Sequence, residues 1–235
     1  MSRAVPTLEV YKARGYRPLT GIYTSPVIFT GTWEDEISAL PFAQTPAPYP
    51  EMEIVDNVKG QQTYDFCAFK SVDGDPLTWN QTLDDEGFWT EEIPDNYKYT
   101  EAYYSCPQIR NIIDWFQCEK TRIRIFRQQP GHVNPLHTDY DNRRGWVYGQ
   151  TLRVFVQLSD LGTDSWFKFR TDDCEINTSL NRGQFVILNT DHVAHQTENV
   201  GDKPRDMLAM IIKKNEWVDS LQDTFDRQML VDVSA

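Results

Sequence analysis

The chain has only four histidines, His132, His137, His192 and His195, and all of them fall in its second half. His137 opens the triplet His137-Thr138-Asp139, and Arg205 stands ten residues beyond His195. On an extended strand, side chains two positions apart lie on the same side, so His137 and Asp139 can reach one ion together. Two imidazoles and one carboxylate form the donor set of a non-haem Fe(II) centre, whose single protein-bound face leaves positions open for other ligands. His192 competes with His195 for the third place. The distance to Arg205, and Asn199 four residues further on, favour His195. His132 follows Pro130-Gly131 and reads as a loop residue.

The elements that would carry these residues begin near Thr121. From there the apolar period is two, over 121–128, 151–158, 165–170, 184–188 and 205–212, all short and rich in β-branched or aromatic residues. Turn residues separate them, at Pro130-Gly131, Asp141-Asn142, Asn181-Arg-Gly183 and Asn199-Val-Gly201. Such spacing predicts a sandwich or jelly roll. In 151–158, Leu152, Val154, Val156 and Leu158 share one face. Arg153, Phe155 and Gln157 share the other, which is too polar for a dry core and suits a cavity wall. Before this region, Pro107 is suited to a first helical position, and Ile109, Ile112, Ile113 and Phe116 recur at helical spacing. A last helix is expected from Asn215, with Val218, Leu221, Phe225 and Met229 on one side. The first hundred residues read as irregular. They include a proline-rich connector at 41–50, an acidic aromatic loop at 84–92 and short extended pieces such as 63–70.

Composition excludes more than it proposes. A formal charge of −12 argues against nucleic-acid or anionic-membrane partners, which would need a basic surface. Cys67, Cys106, Cys118 and Cys174 form no Cys-x-x-Cys pair, so neither a zinc ribbon nor a redox motif is indicated. Met1–Val10 lacks a basic start followed by an apolar core, and no apolar run approaches a membrane span. A cytoplasmic protein with reduced thiols is expected.

The text Pro130-Gly-His-Val-Asn-Pro-Leu-His137-Thr-Asp139, then Gly183-Gln-Phe-Val-Ile-Leu188, His195-Gln-Thr-Glu-Asn199 and Arg205, resembles the 2-oxoglutarate and Fe(II)-dependent oxygenase superfamily. The likeness is nearest its aspartyl/asparaginyl β-hydroxylase and prolyl hydroxylase branches, and covers about Thr121 to Ile212. It implies a mainly β fold, a double-stranded β-helix or cupin-like jelly roll with flanking α-helices. One oxygenase domain would then span 1–235, made of an irregular section at 1–104, a helix at 105–120, the jelly-roll core at 121–213 and a C-terminal helix at 215–230. The resemblance further implies Fe(II) on His137, Asp139 and His195, with 2-oxoglutarate as cosubstrate. The distal carboxylate of 2-oxoglutarate would meet Arg205, whose planar fork matches it in a way a lysine cannot.

The implied reaction is hydroxylation of a C–H bond in an amino acid, a peptide or protein side chain, or a small metabolite, with release of succinate and CO2. A tyrosine that binds cosubstrate in some prolyl hydroxylases is replaced here by Gln128. Arg153, Arg124 and Gln128 are therefore candidates for a second cosubstrate anchor, Arg153 being preferred. Arg143 and Arg144 follow the metal strand and read as a charged turn or as contacts for an acidic substrate. Trp79, Trp89 and Tyr103-Tyr104 either form a lid or pin their segments to the core. Two other readings stay open: a cupin-type metalloenzyme that uses no 2-oxo acid, and a catalytically silent jelly-roll binding module.

Overall fold

In the computed structural model the described residues are 22–45, 64–79, 81–83, 89–91, 97–137, 151–171, 175–189, 193–224 and 229–234. Along the chain they form β1 (Ile22–Thr30), α1 (Glu34–Ser38), β2 (Ala43–Gln44), β3 (Asp65–Ser71), β4 (Gln81–Leu83), β5 (Trp89–Glu91) and β6 (Lys98–Tyr99). Next come α2 (Glu101–Ser105), α3 (Pro107–Trp115), β7 (Lys120–Gln128), β8 (Val133–His137) and β9 (Thr151–Gln157). The last are β10 (Ser165–Arg170), β11 (Glu175–Thr178), β12 (Gln184–Leu188), β13 (Ala194–Asn199), β14 (Arg205–Lys213), α4 (Glu216–Thr224) and β15 (Met229–Asp232).

Two sheets face one another as a jelly roll. The larger has nine strands in the order β15-β1-β12-β9-β14-β7-β3-β2, with β6 also paired to β3. The smaller has four, in the order β11-β10-β13-β8, and β4 with β5 makes a separate hairpin. Strict alternation on β9 decides what each face does. Leu152, Val154, Val156 and Leu158 join Phe29, Trp33, Phe116 and Phe185 in an outer core beneath the helices. Phe155 instead meets Phe167, Phe169, Val186, Leu188 and Met207 in an inner core between the sheets. The alternation of β9 is that expected from its sequence, while its second face, expected to wall a cavity, packs Phe155 into this apolar inner core between buried Arg153 and Gln157. The helix at 107–115 also forms as expected, with Ile109, Ile112, Ile113 and Phe116 fully buried on its apolar stripe.

Two expectations need correction. The section 1–104 is not irregular throughout: β1 pairs with β12, and β3 pairs with β7, inside the main sheet. Pro26 conceals β1, because proline cannot donate to a ladder and is tolerated only at breaks or edges. The register of β1 against β12 does break between Thr24 and Ile28, where the Val27 amide turns to the Ser25 hydroxyl at 2.9 Å. The last helix ends at Thr224 instead of continuing to 230, and Met229 begins β15, parallel to β1. Helical spacing of apolar residues was outweighed there by a sheet edge with open backbone groups. The start was read correctly, since the Asn215 side chain caps the Val218 amide at 2.9 Å. Phe225 lies outside the described residues, as do 46–50 of the connector at 41–50 and Cys174.

One glycine is required by contact as well as by angle. Gly183, at φ +80°, opens β12, and a Cβ there would sit 1.9 Å from the Phe29 carbonyl oxygen. Its own backbone bridges β1 and β9, accepting from the Phe29 amide and donating to the Gln157 carbonyl.

Candidate active site

His137 ends β8 and His195 is the second residue of β13, and the two stand opposite each other in the antiparallel register of the small sheet. Both are buried, at 2% and 3% exposure, with ring centroids 4.2 Å apart. Two tilted imidazoles buried this close bring polar nitrogens together in a largely apolar setting. His137 Nδ1 lies 2.7 Å from the Pro135 carbonyl oxygen, which can only accept. Nδ1 therefore donates to that carbonyl, as the outer nitrogen of a metal-ligating imidazole does. Pro135 sits on the outermost strand of its sheet, where a missing donor is tolerated. Phe155 closes the site from the large sheet, its ring centroid 5.8 Å from that of His195.

Asp139 lies two positions past the end of β8 and falls, with His192, Arg143 and Arg144, outside the described residues. Among the described residues no group of three metal-binding side chains occurs, because the described part of the set holds only the two histidines. Their chemistry fits Fe(II), to which Asp139 would add the carboxylate.

Arg205 begins β14 on the inner face and is fully buried. Its guanidinium crosses the sandwich. Nε donates to Gln157 Oε1 at 3.0 Å, and Nη1 points at Gln128 Oε1 (3.4 Å) and at the carbonyls of Trp166 (3.2 Å) and Glu198 (3.3 Å) in the small sheet. The Phe167 ring lies beneath it, 4.4 Å from the guanidinium carbon. Every one of these partners is a neutral oxygen or a ring. Nη2 is buried without any hydrogen-bond partner among the described residues. Burial alone pushes the guanidinium down to about 9, which leaves it charged at neutral pH. A buried cation held only by neutral groups and carrying an open donor fits an incoming carboxylate. It presents a single nitrogen, Nη2, and not the two-nitrogen fork suggested by residue type alone, because Nε and Nη1 are already engaged.

The second-anchor candidates separate in space. Gln128 sits beside Arg205, its Nε2 donating to Thr197 Oγ1 at 2.9 Å while its Oε1 faces the guanidinium. Arg153 is four positions from Gln157 on the same face of β9, with Phe155 between them, and stands opposite Leu188 and Ile211. At about 3.4 Å per residue its backbone is roughly 14 Å from that of Gln157, on the far side of Phe155. Arg124, buried on β7 opposite Ala209, stacks on Trp79 with 4.0 Å from its guanidinium carbon to the ring centroid. Trp79 also meets Phe66 edge-on at 5.0 Å, so it pins its segment to the sheet. Tyr103 is buried and donates to the Asp114 carboxylate at 2.8 Å, while Tyr104 is 60% exposed. Trp89 opens β5 of the separate hairpin.

No family model matches the chain, and no curated protein does. Solved structures do. A 2OG-Fe(II) oxygenase family oxidoreductase from Burkholderia pseudomallei superposes with a TM-score of 0.51 at 11% identity, covering 77% of this chain and 78% of that one. SnoK, a non-heme alpha ketoglutarate dependent carbocyclase from nogalamycin biosynthesis, matches at a TM-score of 0.40 and 12% identity over 48% of this chain and 61% of its own. A cupin domain from Bordetella pertussis matches at 0.29 and 18% identity, over 41% and 84% respectively. The first of these shows a shared fold. The chain has the jelly-roll architecture of the cupin type, and no helix among the described residues is long and apolar enough to cross a membrane.

Proposed function

We propose that the protein is a 2-oxoglutarate- and Fe(II)-dependent oxygenase, hydroxylating a C–H bond of an amino acid, a peptide or protein side chain, or a small metabolite. The observation that carries this reading is a buried, neutral-partnered Arg205 with an open Nη2 on the large sheet, facing the small sheet that carries an in-register pair of buried histidines. Neither feature alone would single out this chemistry. A metal site without a carboxylate clamp suits many cupin-type enzymes, and a buried arginine alone suits any anion.

His137, His195 and Asp139 would hold the iron, and Arg205 would take the distal carboxylate of the 2-oxo acid. Bound there, iron and 2-oxoglutarate supply the oxidising chemistry, coupling decarboxylation of the cosubstrate to O2 reduction. The chain's own residues do the rest. The Pro135 carbonyl fixes the ring of His137 through Nδ1, and Phe155 and Phe167 exclude water between the two ends of the cosubstrate. Met207 and Ala209, in the same inner core, wall its apolar middle. Arg153, on the inner face of β9 beyond Phe155, would serve the keto-acid end or the prime substrate.

The test is Fe(II)-reconstituted protein assayed for 2-oxoglutarate-dependent O2 uptake and succinate release across an amino-acid and peptide panel. Turnover should require the 2-oxo acid and be blocked by N-oxalylglycine. Turnover with no 2-oxo acid present would place the protein among other cupin-type metalloenzymes. Absence of metal binding would leave a binding module.

A further inference from the structure

Four groups accept hydrogen bonds from Arg205, and two of them are glutamine amides where a carboxylate would be the ordinary partner of a buried arginine. Both amides are fixed at their other end, so their orientation is not arbitrary. Gln157 donates through Nε2 to the Ser159 carbonyl at 3.0 Å, and Gln128 donates through Nε2 to Thr197 Oγ1 at 2.9 Å. Each therefore turns its Oε1 towards the guanidinium. The two come from β7 and β9, which flank β14 on either side, so Arg205 is gripped from both neighbouring strands. The remaining contacts, the Trp166 and Glu198 carbonyls, face each other across the β10–β13 ladder and are equally neutral.

We infer that Gln128 and Gln157 are positioning residues that orient Arg205 without neutralising it, so that its charge is reserved for the incoming carboxylate. This rests on the function proposed above and deepens it, because Gln128 then acts through Arg205 and not by touching the cosubstrate. A glutamate at either place would complete an internal ion pair, and a carboxylate ligand would have to compete with it. An apolar residue would leave the guanidinium free to swing away. Glutamine avoids both. The position of Gln157 is the more constrained of the two, since a carboxylate there would oppose the Ser159 carbonyl. Thr197, by contrast, can rotate its hydroxyl to donate.

Gln128→Glu is therefore the discriminating substitution, nearly isosteric and with both contacts retained. Ligand-free protein carrying it should melt at a higher temperature than wild type near pH 8, because the buried cation gains its missing anion. Its affinity for 2-oxoglutarate, titrated calorimetrically on Mn(II)-loaded protein without O2, should fall about 10- to 100-fold, the scale of one charge-assisted hydrogen bond. The loss should shrink as pH is lowered and the introduced carboxyl takes up a proton. Gln128→Ala should lower both melting temperature and affinity, with no such pH dependence.

A Gln128→Glu protein that melts below wild type, or that binds 2-oxoglutarate as tightly as wild type, overturns the inference. The ligand-free melt reads the state of Arg205 without any cosubstrate. If wild type binds no 2-oxoglutarate, the proposed function fails, while the melting comparison still decides whether Arg205 lacks an anion.

Discussion

Replacing Arg205 by lysine keeps the charge and removes the geometry. The guanidinium spans from Gln157 on β9 to the Trp166 and Glu198 carbonyls in the opposite sheet while leaving Nη2 open. A lysine has one nitrogen, which cannot meet both walls and a ligand together. Two costs follow. Gln157 Oε1 loses its donor in a buried setting, for about 1–3 kcal/mol, and the stacking on Phe167 is weakened by about 0.5–1 kcal/mol. Together these amount to about 2 kcal/mol of stability, or roughly 4–8 °C in a chain of this size. The second cost is in binding. Losing the Nη2 bond to the carboxylate should cost about 1.5–3 kcal/mol, a fall of about 10- to 150-fold in 2-oxoglutarate affinity. The apparent KM for the prime substrate should move far less, and metal content should stay near wild type because Arg205 is no ligand. Calorimetric titration with 2-oxoglutarate and metal analysis on the same preparation check this. Folded, metal-loaded Arg205→Lys protein with unchanged 2-oxoglutarate affinity would refute the clamp.

Further expectations concern the metal, the backbone and the thiols. His137→Ala, Asp139→Ala and His195→Ala should each lose bound Fe(II) and turnover while remaining folded, whereas His192→Ala should keep both; the reverse result for 192 and 195, read by metal analysis, would exchange the third ligand. Gly183→Ala should cost on the order of 4 kcal/mol or abolish soluble expression, since its Cβ would strike the Phe29 carbonyl; a wild-type urea midpoint would contradict that contact. Burial pushes the Cys67 thiol up to about 12 and the Cys106 thiol to about 11, from an ordinary value of 9.0. Folded values above unfolded ones mean that the stability these thiols contribute is complete below about pH 9 and is lost as pH rises towards 11–12. Each can remove up to about 1.4 kcal/mol per pH unit in that window. Urea unfolding from about pH 8.5 to 10.5 should show this decline, and Cys67→Ala should flatten it in part.

Much of the site was legible because its residues sit on strands whose alternation is unambiguous. Leu152 through Leu158 declared both faces of β9, and His195 and Arg205, singled out by their spacing, are both buried, one on each of the two sheets. What escaped depends on register between strands far apart in sequence. Gln157 was visible as a cavity-facing residue, but its role as the partner of Arg205 requires β9 and β14 to be neighbours, which no local pattern encodes. The same holds for Arg153, whose place opposite Leu188 and Ile211 is set by strand pairing and not by residue type. β1 was hidden by Pro26, although Ile22, Thr24, Val27, Ile28, Phe29 and Thr30 carry the β-branched and aromatic character of a strand. β15 was read as helix because four apolar residues happened to recur at helical spacing.

Pro26 has a consequence for how the chain is made. β1 pairs with β12, about 160 residues later, and with β15 beyond that. At roughly 5–20 residues per second of synthesis, β1 emerges some 8–30 s before its first partner exists. During that interval a nine-residue segment rich in Ile, Val, Phe and Tyr waits unpaired, the kind of window that nucleates cross-β association between nascent chains. A proline at its centre removes one ladder donor and breaks the run into two pieces too short to template a partner efficiently. The register break in the finished sheet is thus also a gatekeeper against aggregation, and Pro26→Val should leave the folded protein nearly unchanged while raising the insoluble fraction on expression.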